Sequence, residues 1–302
     1  MTTLRQQVRR LVPASLRPRL GELRRRFVAR PGRVRRAKQR LLADAALSGR
    51  ERELLRDVDE RIHPNDGMYS GDGEGYFRAG LSAVACLDEV LAAMAVPPPS
   101  VSHILDLPCG YGRELRFLRL RFPGAAVTAC DIQPGAVDFC ARQFGAAPVL
   151  SRPALSEVSF ARGFDLVWCG SLVTHLDAGA TSDLFRLFAR HLNPGGVAVF
   201  TTHGDYVHAR LRAEGGDFYA MPGDSVRALT DAYAASGHAY HDYPRGLGYF
   251  DFHPDKRGYG ISLTSPAWIN ERVERVGGLR PAFFKPRGWA DHQDVHAFSK
   301  PA

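Results

Sequence analysis

Apolar positions along the chain fall into two alternating rhythms. Short, nearly continuous runs at Ile104 to Leu107, Ala126 to Ile132, Pro148 to Leu150, Phe164 to Cys169 and Gly196 to Thr202 read as strands buried on both faces. Helical stretches follow most of them, from Arg113 onward, from Pro134 to Phe144 and from Ser182 to Leu192. Upstream, Phe77, Leu81, Val84, Leu87, Leu91 and Met94 recur at helical spacing between Tyr76 and Met94, and Pro97-Pro98-Pro99 ends that element. Ser48 is placed to cap a polar helix reaching about Ile62, and Ser265-Pro266 to start one through Val276. Alternating strands and helices predict an α/β fold, and the right-handed crossover rule makes it a doubly wound parallel sheet. Two last strands, around Leu279 to Phe284 and Asp294 to Phe298, are joined by a link short enough for an antiparallel pair.

The alternation breaks after Thr202. Residues 204–264 form an insertion rich in Tyr and His, including Tyr206, His208, Tyr219, Tyr233, Tyr243 and Tyr259. An insertion of that length at the ligand end of a sheet is expected to serve function, here as a cap over a substrate. The expected organisation is therefore a basic arm (1–50), N-terminal helices with a glycine-rich loop covering the cofactor (51–100), a cofactor-binding core (101–203), the cap (204–264), and a last helix with the strand pair (265–302).

Charge changes the picture only at one end. Residues 1–50 hold fifteen Arg and Lys against Glu22 and Asp44, a net of +13, so the total of +8 leaves the remainder at −5. Among these arginines stand Leu4, Val8, Leu11, Leu16, Leu20, Leu23 and Phe27, interrupted by Pro13, Pro18 and Pro31, a pattern of short amphipathic helices. Such an arm suits peripheral contact with an anionic membrane; nucleic acid phosphates are the less favoured partner, and a solvated tail the plainest reading. Four lysines beside 36 arginines reflect a GC-rich genome more than phosphate recognition. No apolar run approaches the ~20 residues of a membrane span, and no secretory signal is evident, so a cytoplasmic protein, peripheral at the membrane if the arm binds there, is expected. Five cysteines without a C-x-x-C pair suggest neither zinc nor a disulfide framework, and no metal is expected.

The chemistry concentrates at Ile104-Leu-Asp-Leu-Pro-Cys-Gly-Tyr-Gly112, a strand breaking into a glycine turn, with Asp131 closing the next strand 25 positions after Asp106. Glycines at such a turn let backbone approach a ligand, and a carboxylate on the neighbouring strand can accept from two ribose hydroxyls. A nicotinamide-type turn would need a third glycine where Leu115 stands, and the chain lacks a second mononucleotide half.

The order of features resembles the class I S-adenosylmethionine-dependent methyltransferases. Carrying the resemblance are Asp106 to Gly112, the acidic Asp131, the segment Phe164-Asp-Leu-Val-Trp-Cys-Gly-Ser-Leu-Val-Thr-His-Leu, and Leu192-Asn-Pro-Gly-Gly-Val-Ala-Val-Phe. It spans residues 76–203 closely and 265–298 more loosely. It implies a doubly wound, Rossmann-like methyltransferase sheet with an antiparallel last strand, and S-adenosylmethionine as cofactor. Asp106, Pro108, Gly110 and Gly112 would border its methionine part, Asp131 and Ile132 its ribose, and Gly170 and Ser171 the floor near the sulfonium. Tyr76 and Arg78 would cover its carboxylate. Two departures stand out. Pro108 replaces the family's first glycine, and Ser151-Arg152-Pro153 replaces the acidic residue after the third strand, leaving the adenine contact unassigned.

Methyl transfer from a sulfonium is an in-line displacement needing a general base only when the nucleophile arrives protonated. His175 after the fourth strand, His203 after the fifth and Tyr259 in the cap are the candidates. No Asp-Pro-Pro-Tyr sequence follows the fourth strand, which argues against amino-group transfer to adenine or glutamine. Stacked tyrosines suit a sugar or planar ring, so O-methylation of a small molecule or glycan is expected. An RNA methyltransferase guided by the arm, and a non-catalytic cofactor-binding scaffold, are the alternatives; the oligomeric state is open.

Overall fold

A computed structural model describes residues 29–69, 73–216, 219, 221–243 and 259–302. The chain divides into two compact units, Met1–Arg78 and Ala79–Ala302.

In the first unit, α1 (Pro31–Leu42) and α2 (Gly49–Asp57) pack together. The α1 stripe Val34, Ala37 and Leu41 is buried while Arg33, Arg35, Arg36 and Arg40 face out. Lys38 is buried on the same side, and its ammonium donates to the carbonyls of Arg56 and Val58 at 2.7 and 3.0 Å, which terminates α2. Ser48 makes a reciprocal capping box with Glu51, so α2 starts where the sequence places it; it stops at Asp57, five residues before Ile62. This part of the arm thus spends its apolar stripe inside the protein. Residues 1–28, with Leu4 to Phe27, lie outside the described residues.

Next, α3 (Glu74–Ala93) begins in the first unit and ends in the second. The second unit continues with β1 (His103–Asp106), α4 (Leu115–Arg121), β2 (Ala126–Asp131), α5 (Pro134–Phe144), β3 (Ala147–Leu150), β4 (Phe164–Cys169), α6 (Ala178–His191) and β5 (Leu192–Thr202). It closes with α7 (Asp205–Glu214), α8 (Gly223–Ser236), β6 (His238–Asp242), β7 (Gly260–Thr264), α9 (Pro266–Val276), β8 (Arg280–Trp289) and β9 (Gln293–Ser299).

Seven strands form one sheet in the order β3-β2-β1-β4-β5-β9-β8, parallel through β5 and antiparallel at β9 and β8. Apolar clusters cover both faces. One joins Leu87, Leu91, Leu118 and Val127 to Trp168, and the other joins Phe185, Phe188 and Phe200 to Ile269. Each fully buried side chain of this kind contributes roughly 1.5–3 kcal/mol, which is why continuous apolar strands occupy the sheet centre. Several boundaries differ from the sequence reading, among them the end of β8, which runs five residues past Phe284 to Trp289. Asp177 caps α6 through Ala180 N, starting it at Ala178, and β5 begins at Leu192 because a register shift beside β4 takes up Asn193-Pro194-Gly195. The insertion has its own small core, with Val207, Leu211, Leu229, Ile261 and Leu263 buried between α7, α8 and the antiparallel pair β6–β7.

Candidate active site

The sheet order reverses between β1 and β4. From β1 the chain steps outward through β2 and β3, then returns to continue on the other side through β4 and β5. Doubly wound sheets bind ligands at the carboxyl ends of the strands flanking such a reversal, and Asp106 and Gly170-Ser171 stand at those two ends.

Asp106 closes β1, 1% exposed, and among the described residues neither carboxylate oxygen has a hydrogen-bond partner. Burial pushes its carboxyl well above the ordinary range; Glu114, Cys140 and Asp131 add to the shift and Arg113 opposes it. A buried unpaired carboxylate is costly, so this position suits a donor that the described residues do not supply. After Pro108, whose peptide bond to Leu107 is cis, the turn passes through left-handed backbone at Gly110 (φ +48°) and Gly112 (φ +75°). A side chain at Gly110 would meet nothing within 4 Å, leaving an open cradle, whereas at Gly112 it would strike the Phe144 ring at 2.5 Å. The buried Arg116 guanidinium holds the turn by donating to the carbonyls of Gly112 at 2.8 Å and Tyr111 at 3.3 Å.

Asp131 ends β2 with the same turn in its grip: Oδ2 accepts from Gly110 N at 2.8 Å and Oδ1 from Gln133 N at 2.9 Å. Burial raises its carboxyl and these backbone donors oppose the rise. Each oxygen retains a lone pair for a ligand hydroxyl. Ile132 follows, half-buried. The acceptor set therefore fits a nucleoside carrying an ammonium group: an unpaired carboxylate at the end of β1, an open glycine cradle after it and a second carboxylate at the end of β2.

At the end of β4, Ser171 adopts φ +59°, a left-handed conformation in a non-glycine residue. His175 closes the short turn that follows; its Nδ1 lies 2.8 Å from the Gly260 carbonyl, which fixes the proton there and leaves Nε2 as the basic nitrogen. Tyr259 stacks on this imidazole at 4.9 Å, and the Tyr243 hydroxyl stands 3.3 Å from Nδ1. Burial pushes the imidazole down to about 4, the Gly260 carbonyl opposing. His203, just past β5, is 2% exposed. Burial, then His175 and His292, holds it well below the usual histidine range, against the Ser262 carbonyl. The Tyr219 hydroxyl bridges His203 Nε2 at 3.3 Å and His292 Nε2 at 2.9 Å.

The candidates His175, His203 and Tyr259 thus belong to one aromatic cluster on the carboxyl edge of β4 and β5. Tyr219 and Tyr243, which the sequence places among the tyrosines of the insertion, and His292, which it left unmarked, complete it. His292 stands in a polar turn between two strands, with no pattern to mark it. Tyr76 and Arg78 belong to the first unit, where the Tyr76 hydroxyl donates to Asp66 at 2.7 Å and Arg78 pairs with Asp44 at 2.5 Å. Ser151, the residue after β3, is buried and donates its N–H to the Asp131 carbonyl at 2.8 Å. Among the described residues no group of three or more His, Cys, Asp or Glu side chains could hold a metal ion.

Residues 104–196 match the family model of a methyltransferase domain. The chain is similar to a malonyl-(acyl-carrier protein) O-methyltransferase from Anoxybacillus flavithermus, at 26% identity over 63% of this chain and 74% of that protein. A trans-aconitate 2-methyltransferase from Paracidovorax citrulli is 32% identical over 34% of this chain and 39% of its own length. Among solved structures, an S-adenosylmethionine-dependent methyltransferase from Clostridium acetobutylicum aligns with a TM-score of 0.48 at 14% identity, over 73% of this chain and 92% of that one. With the domain match on the glycine turn and β4, and the two terminal strands antiparallel, the chain is a class I S-adenosylmethionine-dependent methyltransferase.

Proposed function

We propose that this enzyme methylates an oxygen of a small-molecule or glycan acceptor bound beneath the insertion, with His175 Nε2 as the general base. The observation that carries the reading is the set of tyrosines, Tyr219, Tyr243 and Tyr259, brought by the insertion onto His203 and His175. Aromatic faces with hydroxyl rims suit sugars and planar rings. The name of the Anoxybacillus relative, an O-methyltransferase, supports oxygen as the nucleophile. The cofactor supplies a methyl group already activated as a sulfonium. Within this reading Asp106 receives its ammonium, Asp131 and Ile132 border the ribose, and Gly110 and Gly112 admit the methionine backbone past Pro108. Gly170 and Ser171 border the sulfonium.

His175 is neutral at pH 7, the state a base requires, and the Gly260 carbonyl orients it as a backbone partner orients a catalytic imidazole. The test is transfer of radiolabelled methyl from S-adenosylmethionine into fractionated small-molecule, glycan, lipid and RNA extracts. Label is expected in the small-molecule or glycan fraction and is lost with His175→Gln. Label in RNA that fades steeply with salt would favour the arm-guided alternative, and cofactor binding without transfer to any fraction would favour a scaffold. The exposed arginines of α1 and the +13 charge of residues 1–50 support a second element, peripheral contact with anionic lipid.

A further inference from the structure

Ser171 is held in its left-handed conformation by a closed ring of side-chain hydrogen bonds from two other strands. Its N–H donates to Thr201 Oγ1 at 2.8 Å, the Thr201 hydroxyl donates to Gln293 Oε1 at 2.6 Å, and Gln293 Nε2 donates back to Ser171 Oγ at 3.0 Å. Thr174 braces the same residue, its hydroxyl donating to the Ser171 carbonyl at 3.0 Å and lying 3.2 Å from Ser171 Oγ. Thr201 is fully buried on β5 and Gln293 is 8% exposed at the start of β9. The ring ties the tip of β4 to both neighbours across the sheet, at the carboxyl end of a strand flanking the reversal in strand order.

Left-handed backbone in a residue with a Cβ persists only where the surroundings enforce it, and such strain gathers at ligand sites. What this ring enforces is the orientation of the Ser171 hydroxyl and carbonyl oxygens, fixed before any ligand arrives. Preorganised oxygen dipoles favour a cation over its neutral analogue. S-adenosylmethionine is the sulfonium cation; S-adenosylhomocysteine, which remains after methyl transfer, is the neutral thioether.

We propose that Thr201 and Gln293 are positioning residues that set the preference of the site for the sulfonium cofactor over its demethylated product by fixing Ser171 at the tip of β4. The proposal rests on the reading that Gly170 and Ser171 border the sulfonium.

Calorimetric titration of S-adenosylmethionine and S-adenosylhomocysteine into the full chain tests it, alongside thermal unfolding without ligand. Gln293→Leu and Thr201→Val are expected to weaken the sulfonium ligand by roughly tenfold while the thioether moves by less than about twofold, a selective loss of ~1.4 kcal/mol. Thr201→Ser keeps the hydroxyl and retains the wild-type ratio. A purely structural ring would weaken both ligands by one factor, and that result overturns the proposal, as do unchanged affinities in folded variants. Should Gln293→Leu fail to fold, the Thr201 pair decides alone. Wild-type protein that binds neither ligand would overturn the cofactor reading itself, a failure plainly separate from the other two.

Discussion

At the residue scale, if Asp106 receives the cofactor ammonium as proposed, it sets function against stability. Its carboxyl is raised when folded, so below the unfolded value near 3.8 it contributes no penalty, and stability is lost as pH rises from there through the folded value. Asp106→Asn removes that loss. The ligand-free variant is expected to unfold at higher temperature than wild type at pH 8, by an amount equivalent to about 1–3 kcal/mol, with the difference vanishing towards pH 4. Affinity for S-adenosylmethionine should fall at least tenfold in the same variant, since a charged hydrogen bond is worth about 1.5–3 kcal/mol. Calorimetry and pH-dependent melting read both; a variant less stable at pH 8 would contradict the assignment. The two glycines of the turn separate in the same way. Gly110→Ala meets no neighbour and costs about 1–2 kcal/mol of backbone strain, while its methyl fills the cradle and abolishes binding. Gly112→Ala adds the clash with Phe144 and is expected to melt well below Gly110→Ala.

At the scale of elements, the strands and capped helices were readable because each is specified locally. The apolar runs of β1, β2, β4 and β5 need no context, and Ser48 and Ser265 cap their helices through Glu51 N and Trp268 N, as their positions imply. What was not readable depends on long-range pairing. The Leu192 start of β5 follows from its register with β4, and β6–β7 joins residues separated by the stretch from Tyr243 to Tyr259. His292 and Gln293 enter the site only because β9 returns beside β5. The hairpin carries its own prediction. Gly260 pairs with Asp242, and a Cβ there would stand 2.0 Å from the His241 carbonyl, so Gly260→Ala must displace the strand whose carbonyl holds His175. Methyl transfer should drop by roughly ten- to a hundredfold with cofactor affinity within twofold of wild type. Equal loss of both would show that the hairpin shapes the cofactor pocket and not the base.

At the scale of the whole molecule, charge and apolar surface are distributed so that two parts of the basic arm must act differently. Inserting into a bilayer requires an apolar face, and α1 has buried Val34, Ala37 and Leu41 within its own unit, so it can offer lipid only its exposed arginines. Residues 1–28 hold eight arginines against Glu22, interleaved with eight large apolar side chains from Leu4 to Phe27. If the arm contacts anionic membrane as proposed, most of the binding free energy belongs to that stretch, at about 1 kcal/mol per basic residue near the surface plus apolar burial. Removing residues 1–28 should therefore abolish co-sedimentation with phosphatidylserine-containing vesicles while cofactor affinity and the melting temperature stay at wild-type values. Removing residues 1–50 also deletes α1 and the Ser48 cap, so it should lower the melting temperature as well. Charge reversal of Arg33, Arg35 and Arg36 to Glu tests the remainder: it leaves the buried stripe intact and is expected to weaken vesicle binding only in part. Binding that survives deletion of 1–28 but disappears on that reversal would relocate the contact to α1 and make it purely electrostatic, with a correspondingly steep salt dependence.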